Sequence, residues 1–510
     1  MRKSFGWLRF FTCRAIPWIA LTAVSGVKAA EPSKPNIIII LADDLGYAGL
    51  GCQGSTDIPT PNIDSIASNG VRFTDGYVTF PVCSPSRAGL MSGRYQQRFG
   101  FEANSGPETY AAENFGLPRS ELTLAEKLKG AGYVTGMAGK WHIGFKEGLR
   151  PPERGFDSFF GFLAGANNYL AEHRKRGEIL RGTESADEKE YLTAAFARET
   201  VDFIQKNKVG PFFFYLAFNA VHAPLEAEKE YEARFAHIAD PKRRTYAAMT
   251  AAMDDAVGRV LAALRENGLE SNTLIFFLSD NGGPTEQTTS SNAPLRGYKG
   301  QLFEGGIRIP FLAQWKEHLP AGTVYTRPVI SLDIHATATA LAGIPPSAEK
   351  PLDGVNLMPF LTTENAGQPH DILLWRDKGK KAIRMGDWKL VQERTGGTQL
   401  YNLRNDIGET RDLAQAEPER LKELSSIWDD WNHQLMDPLW KRQDSKTGKA
   451  APGETKAVPL TDRFRQMDRN NDSLLTRNEV PGGSLFDRMD EDKNGEVTLD
   501  EAVRSFKRTK

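Results

Sequence analysis

Cys83 is followed by Ser84-Pro85-Ser86-Arg87 and then by Ala88-Gly89-Leu90-Met91-Ser92-Gly93-Arg94. With Ser84 as N-cap and Pro85 as first helical residue, this run places a thiol at the amino end of a helix, where free N–H groups and the helix dipole favour an anion. That spot suits a reactive thiol beside Arg87 or an anionic substrate; it equally suits a small packing residue in a tight turn. Asp43-Asp44 and Asp280-Asn281 offer only oxygen donors, the set a hard cation takes. One such pair would be a solvated turn. Two pairs, each just past an apolar run, point to a metal site.

The elements that must position these groups can be read around them. Residues 36–41 (NIIIIL), 211–218 (PFFFYLAF) and 273–278 (TLIFFL) have the composition of strands buried on both faces. They lead respectively into Asp43-Asp44, His222 and Asp280-Asn281. Between them, residues 122–128 and 247–264 carry helical periodicity, so the chain predicts an α/β fold with a mostly parallel central sheet flanked by helices. Open sheets of that kind bind ligands past the carboxyl ends of their strands. The expected organisation is a catalytic α/β domain over 30–360 and a smaller α+β subdomain over 361–440. The subdomain draws its strands from 382–391 and 398–402 and an amphipathic helix from 417–435. A Lys-, Ala-, Gly- and Pro-containing linker over 441–459 then leads to a separate module over 460–510.

The segment Cys83 to Arg94 resembles the signature of type I sulfatases, C-x-P-S-R followed by x-x-x-L-T-G-R, with Met91 and Ser92 in place of the usual Leu and Thr. The resemblance extends to Asp43-Asp44, Gly139-Lys140-Trp141-His142-Ile143-Gly144, Asn219-Ala220-Val221-His222, Asp280-Asn281-Gly282-Gly283, and Lys299 with Glu304-Gly305-Gly306-Ile307-Arg308. It implies an alkaline phosphatase-like fold and oxidation of Cys83 to formylglycine by a maturation enzyme. The hydrate of that aldehyde offers two hydroxyls, one to attack sulfur and one to release the sulfate that a serine would retain. The resemblance further implies Ca2+ held by Asp43, Asp44, Cys83, Asp280 and Asn281, with calcium favoured over magnesium in an extracellular site. By the same resemblance Arg87, Lys140 and His142 hold the diol and sulfate, and His222 and Lys299 lie near the bridging oxygen. Either of the last two could be the general acid. Asn104, Asn167, Asn168, His173 and Arg384, with Glu102, are polar candidates for selecting the substrate, expected to be a sulfated carbohydrate.

The rest of the sequence bounds this reading. With 64 basic and 65 acidic residues the net charge of −1 gives no global field for nucleic acid. Positive charge at Arg2, Lys3, Arg9 and Arg14, then an apolar stretch and Val27-Lys28-Ala29, reads as a signal peptide over 1–29, so the protein is expected to be secreted or periplasmic with no stable membrane span. Only Cys13, Cys52 and Cys83 occur, and Cys52 is expected to be packing. At the carboxyl end two loops match the EF-hand calcium spacing. The first uses Asp468, Asn470, Asp472, the Leu474 carbonyl, Thr476 and Glu479; the second uses Asp490, Asp492, Asn494, the Glu496 carbonyl, Thr498 and Glu501. Leu475 and Val497 are placed to pair the loops, and Ser473 stands where the second loop has Gly495. Two rival functions keep the same residues: a phosphonate monoester or phosphodiester hydrolase, and a catalytically silent glycan-binding protein.

Overall fold

The seven residues of β1 (Asn36–Ala42) are all buried. Ile37, Ile39 and Leu41 enter one hydrophobic core, while Ile38, Ile40 and Ala42 enter a second on the opposite face. A strand with no solvent face must lie inside a covered sheet. The structure is a computed structural model. It describes residues 34–440 except 105–111, 113, 176–177 and 363–365, together with residue 6 and short stretches between 472 and 502. These residues fall into two compact units, one within Met1–Lys441 and one within Arg442–Lys510.

In the first unit β1 is followed by β2 (Val71–Phe73), β3 (Gly76–Tyr77), β4 (Val134–Lys140), β5 (Ser158–Phe162), β6 (Leu180–Arg181), β7 (Glu184–Ser185), β8 (Phe212–Ala217), β9 (Thr273–Ser279), β10 (Phe311–Gln314), β11 (Thr323–Tyr325) and β12 (Val329–Ile330). Ten of them form one sheet in the order β11-β2-β10-β9-β1-β8-β4-β5-β6-β7, while β3 and β12 pair separately. The central strands β9, β1, β8, β4 and β5 are parallel, and β10 runs antiparallel to β9. Backbones approach closely at Gly139 (φ +115°), where a Cβ would lie 1.8 Å from the Ala217 carbonyl oxygen. The helix expected over 247–264 is longer, Pro241–Glu266, because Asp240 caps it and Pro241 opens it. Its polar first turn hides that start from a periodicity reading.

The smaller sheet is antiparallel: β13 (Ile372–Asp377), β14 (Lys380–Met385), β15 (Trp388–Gln392) and β16 (Gln399–Asn402). Its Trp375 and Leu400, with Trp428 of the helix Pro418–Asn432, share a core with Ile39 and Phe73 of the main sheet. Charge also ties the two sheets together. Lys389 Nζ lies 2.8 Å from both Glu304 and Glu409; Arg308 pairs with Glu304 at 3.1 Å and Asp75 at 3.0 Å; Arg384 pairs with Asp75 at 2.6 Å. The last residues of the unit return to its middle, where Trp440 packs edge-on against Phe101 and Phe115 and donates to Asn114 Oδ1 at 3.1 Å.

In the second unit β17 (Leu474–Thr476) pairs antiparallel with β18 (Glu496–Thr498), with Leu475 opposite Val497. Among the described residues no helix is long and apolar enough to cross a membrane. The signal peptide expected over 1–29 lies outside the described residues apart from Gly6, as does the linker expected over 441–459.

Candidate active site

Four adjacent parallel strands, β9, β1, β8 and β4, deliver polar residues past their carboxyl ends: Asp280 and Asn281, Asp43 and Asp44, His222, and Lys140 with His142. The amino end of the helix Cys83–Ser92 lies against them. This helix begins earlier than expected. Val82 is its N-cap, without a side-chain bond, and Cys83 is its first residue. Ser84 is therefore not the cap: its hydroxyl donates to the His142 carbonyl at 2.6 Å, and its own N–H donates to Asn104 Oδ1 at 2.9 Å. An asparagine twenty residues on supplies the acceptor that a local cap would have given.

The Cys83 sulfur lies 3.6 Å from Asp43 Oδ1 and 3.4 Å from Lys299 Nζ. Lys299 Nζ is also 2.7 and 2.8 Å from the two Asp44 oxygens. Arg87 grips Asp280 Oδ2 with Nε at 3.0 Å and Nη2 at 2.9 Å, and donates Nη1 to the Lys140 carbonyl at 2.9 Å. Lys140 Nζ lies 2.6 Å from Asp43 Oδ2, and His222 Nε2 lies 3.6 Å from Asp44 Oδ2. His222 Nδ1 bonds the Ala223 carbonyl, which leaves Nε2 as the atom facing the cluster. Asp44 (φ +64°) and His142 (φ +60°) both sit in the left-handed region, a strain that persists only where the surroundings enforce it.

Electrostatics follow from this packing. Burial alone would raise the Asp43 carboxyl, but Lys140, His222 and Arg87 hold it below the usual range; Lys299 and His222 do the same for Asp44. Burial, reinforced by Asp280, pushes the Cys83 thiol up to about 12. An unaltered thiol here is protonated at neutral pH and is a poor nucleophile.

Two carboxylates, a sulfur and a ring nitrogen also gather as a candidate cation site, a group that does not include Asp280. Ligating atoms of Asp43, Asp44, Cys83 and His222 lie within 4.8 Å of one another. Asn281 Nδ2 bonds Asp44 Oδ1 at 2.7 Å, while its buried Oδ1 has no partner. Three carboxylates (Asp43, Asp44, Asp280) offset three cations (Arg87, Lys140, Lys299), so holding an additional anion calls for further positive charge.

Of the residues expected to select substrate, Asn104 lies behind Ser84, and Asn167, Asn168 and His173 share a loop beside the His222 turn. Asn219 Nδ2 donates to the Asn167 carbonyl at 3.3 Å, Asn168 Nδ2 to the His173 carbonyl at 2.6 Å, and His173 Nδ1 lies 2.7 Å from Glu226 Oε1. Arg384 is not with them. It is buried against Asp75, Tyr77 and the Gly386 carbonyl in the junction between the sheets, and Glu102 is paired with Arg376. Sequence reasoning missed Glu226, whose partners Tyr169, Leu170 and His173 lie more than fifty residues away along the chain. Cys52 is a free, partly buried thiol, its N–H donating to Asp64 Oδ1 at 2.9 Å.

A sequence model of the family described as Sulfatase matches residues 35–344. The chain belongs to the sulfatase family. It is 33% identical over 402 residues to the N-acetylgalactosamine-6-sulfatase of Mus musculus, covering 73% of this chain and 74% of that one. It is 33% identical over 438 residues to the steryl-sulfatase of Mus musculus, covering 70% and 69%. Among solved structures, that of the protein named Ps i-CgsB in complex with k-i-k-neocarrahexaose matches with a TM-score of 0.76 and 38% identity, over 81% of this chain and 95% of that one. As a sulfatase this protein is a sulfuric ester hydrolase.

In the second unit, Asp490, Asp492 and Glu501 bring one oxygen each within 4.8 Å of one another. Asp490 accepts the Asn494 and Gly495 N–H groups at 3.1 Å, Glu501 accepts Thr498 N at 2.9 Å, and Gly495 takes φ +89°. Asp472 Oδ1 accepts Leu474 N at 2.9 Å, and the Glu496 N–H donates to Asn494 Oδ1 at 2.8 Å. Asp468, Asn470, Ser473 and Glu479 lie outside the described residues.

Proposed function

We propose that this sulfatase removes sulfate from a sulfated sugar or polysaccharide, using formylglycine made from Cys83 by a maturation enzyme and a calcium ion held by Asp43, Asp44, Asp280 and Asn281 beside the modified residue. The observation that carries the reading is Cys83 at a helix amino terminus between Asp43 and Lys299. The names of two relatives support a carbohydrate: one is an N-acetylgalactosamine-6-sulfatase, the other was crystallised with neocarrahexaose. When bound, the cation supplies charge to draw in and polarise a sulfate oxygen, and the hydrated aldehyde supplies the oxygen nucleophile.

The chain's own residues do the remaining work. Arg87 fixes the Asp280 carboxylate, and Lys140 fixes Asp43. Lys299, already spread over both Asp44 oxygens, serves as a fixed positive charge for the sulfate. As an imidazolium, with Nδ1–H donating to the Ala223 carbonyl, His222 presents at Nε2 the proton that a poor leaving alcohol needs, and it is then a fourth positive charge beside Arg87, Lys140 and Lys299. We further assign export from the cell to residues 1–29 and calcium binding to an EF-hand pair in residues 460–510. The test of the central reading is mass spectrometry of the peptide containing Cys83 from active protein, combined with a turnover screen on defined sulfated oligosaccharides. An intact thiol in fully active enzyme would refute it.

A further inference from the structure

His222 stands at the end of a short turn after β8, and that turn is gripped from two sides. On one side is Asp43, whose N–H donates to the Ala220 carbonyl and whose carbonyl accepts the Val221 N–H, both at 2.8 Å. On the other is the fully buried Tyr169, whose hydroxyl faces the carbonyls of both Asn219 and His222, the latter at 2.8 Å. A phenol has one proton to donate, so these two acceptors compete for it. Whichever carbonyl takes the proton, that bond ties one end of the turn to the Tyr169 ring.

Tyr169 is itself held in turn. Glu226 Oε2 accepts the N–H groups of Tyr169 at 2.7 Å and Leu170 at 3.2 Å, and Glu226 Oε1 meets His173 Nδ1 at 2.7 Å. Tyr191 stacks on the Tyr169 ring at 5.7 Å and donates its hydroxyl to the Glu226 carbonyl at 2.8 Å. Neither Tyr169 nor Glu226 touches Cys83, Asp44 or Lys299 through any bond the structure shows; the hydrogen-bonded route from them to the cluster runs through the turn.

We infer that Tyr169 and Glu226 are positioning residues for His222: the Glu226 carboxylate seats Tyr169, and the Tyr169 hydroxyl, donating to one or the other of the Asn219 and His222 carbonyls, anchors the turn so that Nε2 is presented to the leaving oxygen. The inference rests on the assignment of His222 as general acid. Small displacements of a proton donor cost rate in proportion to how much the leaving group needs the proton. The consequence is a dependence on leaving group that loss of packing alone would not produce.

The experiment compares 4-nitrophenyl sulfate with a 6-sulfated N-acetylhexosamine, using Tyr169→Phe, His222→Ala and the double variant in the full-length, matured enzyme. Tyr169→Phe should lower kcat on the sugar sulfate about tenfold, a fraction of the 10²–10⁴ that general acid catalysis supplies, with a several-fold smaller loss on the aryl ester. In the His222→Ala background it should cause no further loss on the sugar sulfate. Should Tyr169→Phe not fold, Glu226→Gln is judged by the same criteria. Equal losses on both substrates, or additive losses in the double variant while His222→Ala alone discriminates between leaving groups, overturn the positioning role and leave the acid assignment standing. Equal losses in His222→Ala itself overturn the acid assignment and this inference together.

Discussion

At the scale of single residues, the site is a balance of buried charges in which few groups have one partner only. Asp280 Oδ2 accepts the Arg87 Nε–H at 3.0 Å and lies 2.9 Å from the charged Nη2, while Oδ1 accepts the Asp44 N–H at 3.2 Å. Asp280→Asn keeps the shape but removes the charge that compensates a fully buried guanidinium. Breaking such a pair costs ~3–5 kcal/mol, and the lower end applies here because Arg87 retains Asp43 at 3.6 Å. Activity should fall by about 100-fold, since the proposed cation would lose a ligand and Arg87 its closest carboxylate. Urea unfolding and kcat/KM on one preparation check both parts; full stability would mean that Asp43 and the Lys140 carbonyl suffice to hold Arg87.

Elements set the precision of that balance. Lys140 reaches Asp43 because β4 packs against β8 with no side chain between them at Gly139. Gly139→Ala adds a Cβ 1.8 Å from a carbonyl oxygen, at a φ that strains any other residue. Strain alone accounts for about 1–3 kcal/mol, and the displaced strand end should lower activity as well. A calorimetric Tm equal to that of the unsubstituted protein would contradict this account.

The junction between the sheets gives a pH dependence of its own. Burial, opposed by Lys389 but reinforced by Glu304, raises Glu409 to about 7, whereas Glu304, despite its burial, is held at about 2 by Lys389, Arg308 and Arg384. The Glu304 contribution to stability is present above its ordinary value of 4.5 and is lost as pH falls through about 2. Glu409 acts in the opposite sense: its contribution is present below 4.5 and disappears as pH rises through about 7. Glu409→Gln should therefore flatten the decline in Tm between pH 5 and 8 and leave the acid limb in place. An unchanged slope there would show that Glu409 is not the titrating group.

How much of this could be read beforehand varied with the range of the interaction. The three apolar runs and the polar residues after them were legible because strand burial and the switch from apolar to polar are local properties of the chain. Cys83 at a helix start was legible for the same reason. The true N-cap was not, because Asn104 replaces the function assigned to Ser84 through a contact set by the fold. Arg384 looked like a substrate contact because an isolated arginine carries no sign of its partner; Asp75 lies 309 residues before it. Tyr169 stood in a segment singled out for substrate choice, but its bonds to Asn219 and His222 depend on tertiary placement.

For the whole molecule, the end of the first unit matters more than composition suggests. A chain cut near Met436 would lose the segment 441–459 and the second unit, but it would also lose Leu439, whose N–H bonds the Gly100 carbonyl at 2.9 Å, and Trp440 against Phe101 and Phe115. Losing a buried tryptophan costs ~3–5 kcal/mol, and Phe101 lies just before the Asn104 that satisfies the catalytic helix. A chain ending at Lys441 should therefore retain its kcat on 4-nitrophenyl sulfate, while one ending at Met436 should unfold at lower temperature and lose activity with it. Loss of kcat in the longer chain would assign the second unit a part in the chemistry. Titration of the full chain with calcium, with and without Glu501→Gln, separates the calcium site proposed in the second unit from the one proposed at Asp43.

The burial of Cys83 also orders events in time. With 1% of its surface exposed, the Cys83 side chain is buried among the described residues and offers little of itself to the active site of another protein. The oxidation proposed for it belongs to the interval before the sheet closes, while the segment from Cys83 to Arg94 is still an extended peptide. Synthesis must also run more than 350 residues past Cys83 before Trp440 can pack against Phe101 and Phe115. Cells that fold this chain faster than they modify it should accumulate a stable protein that no later treatment short of unfolding can activate.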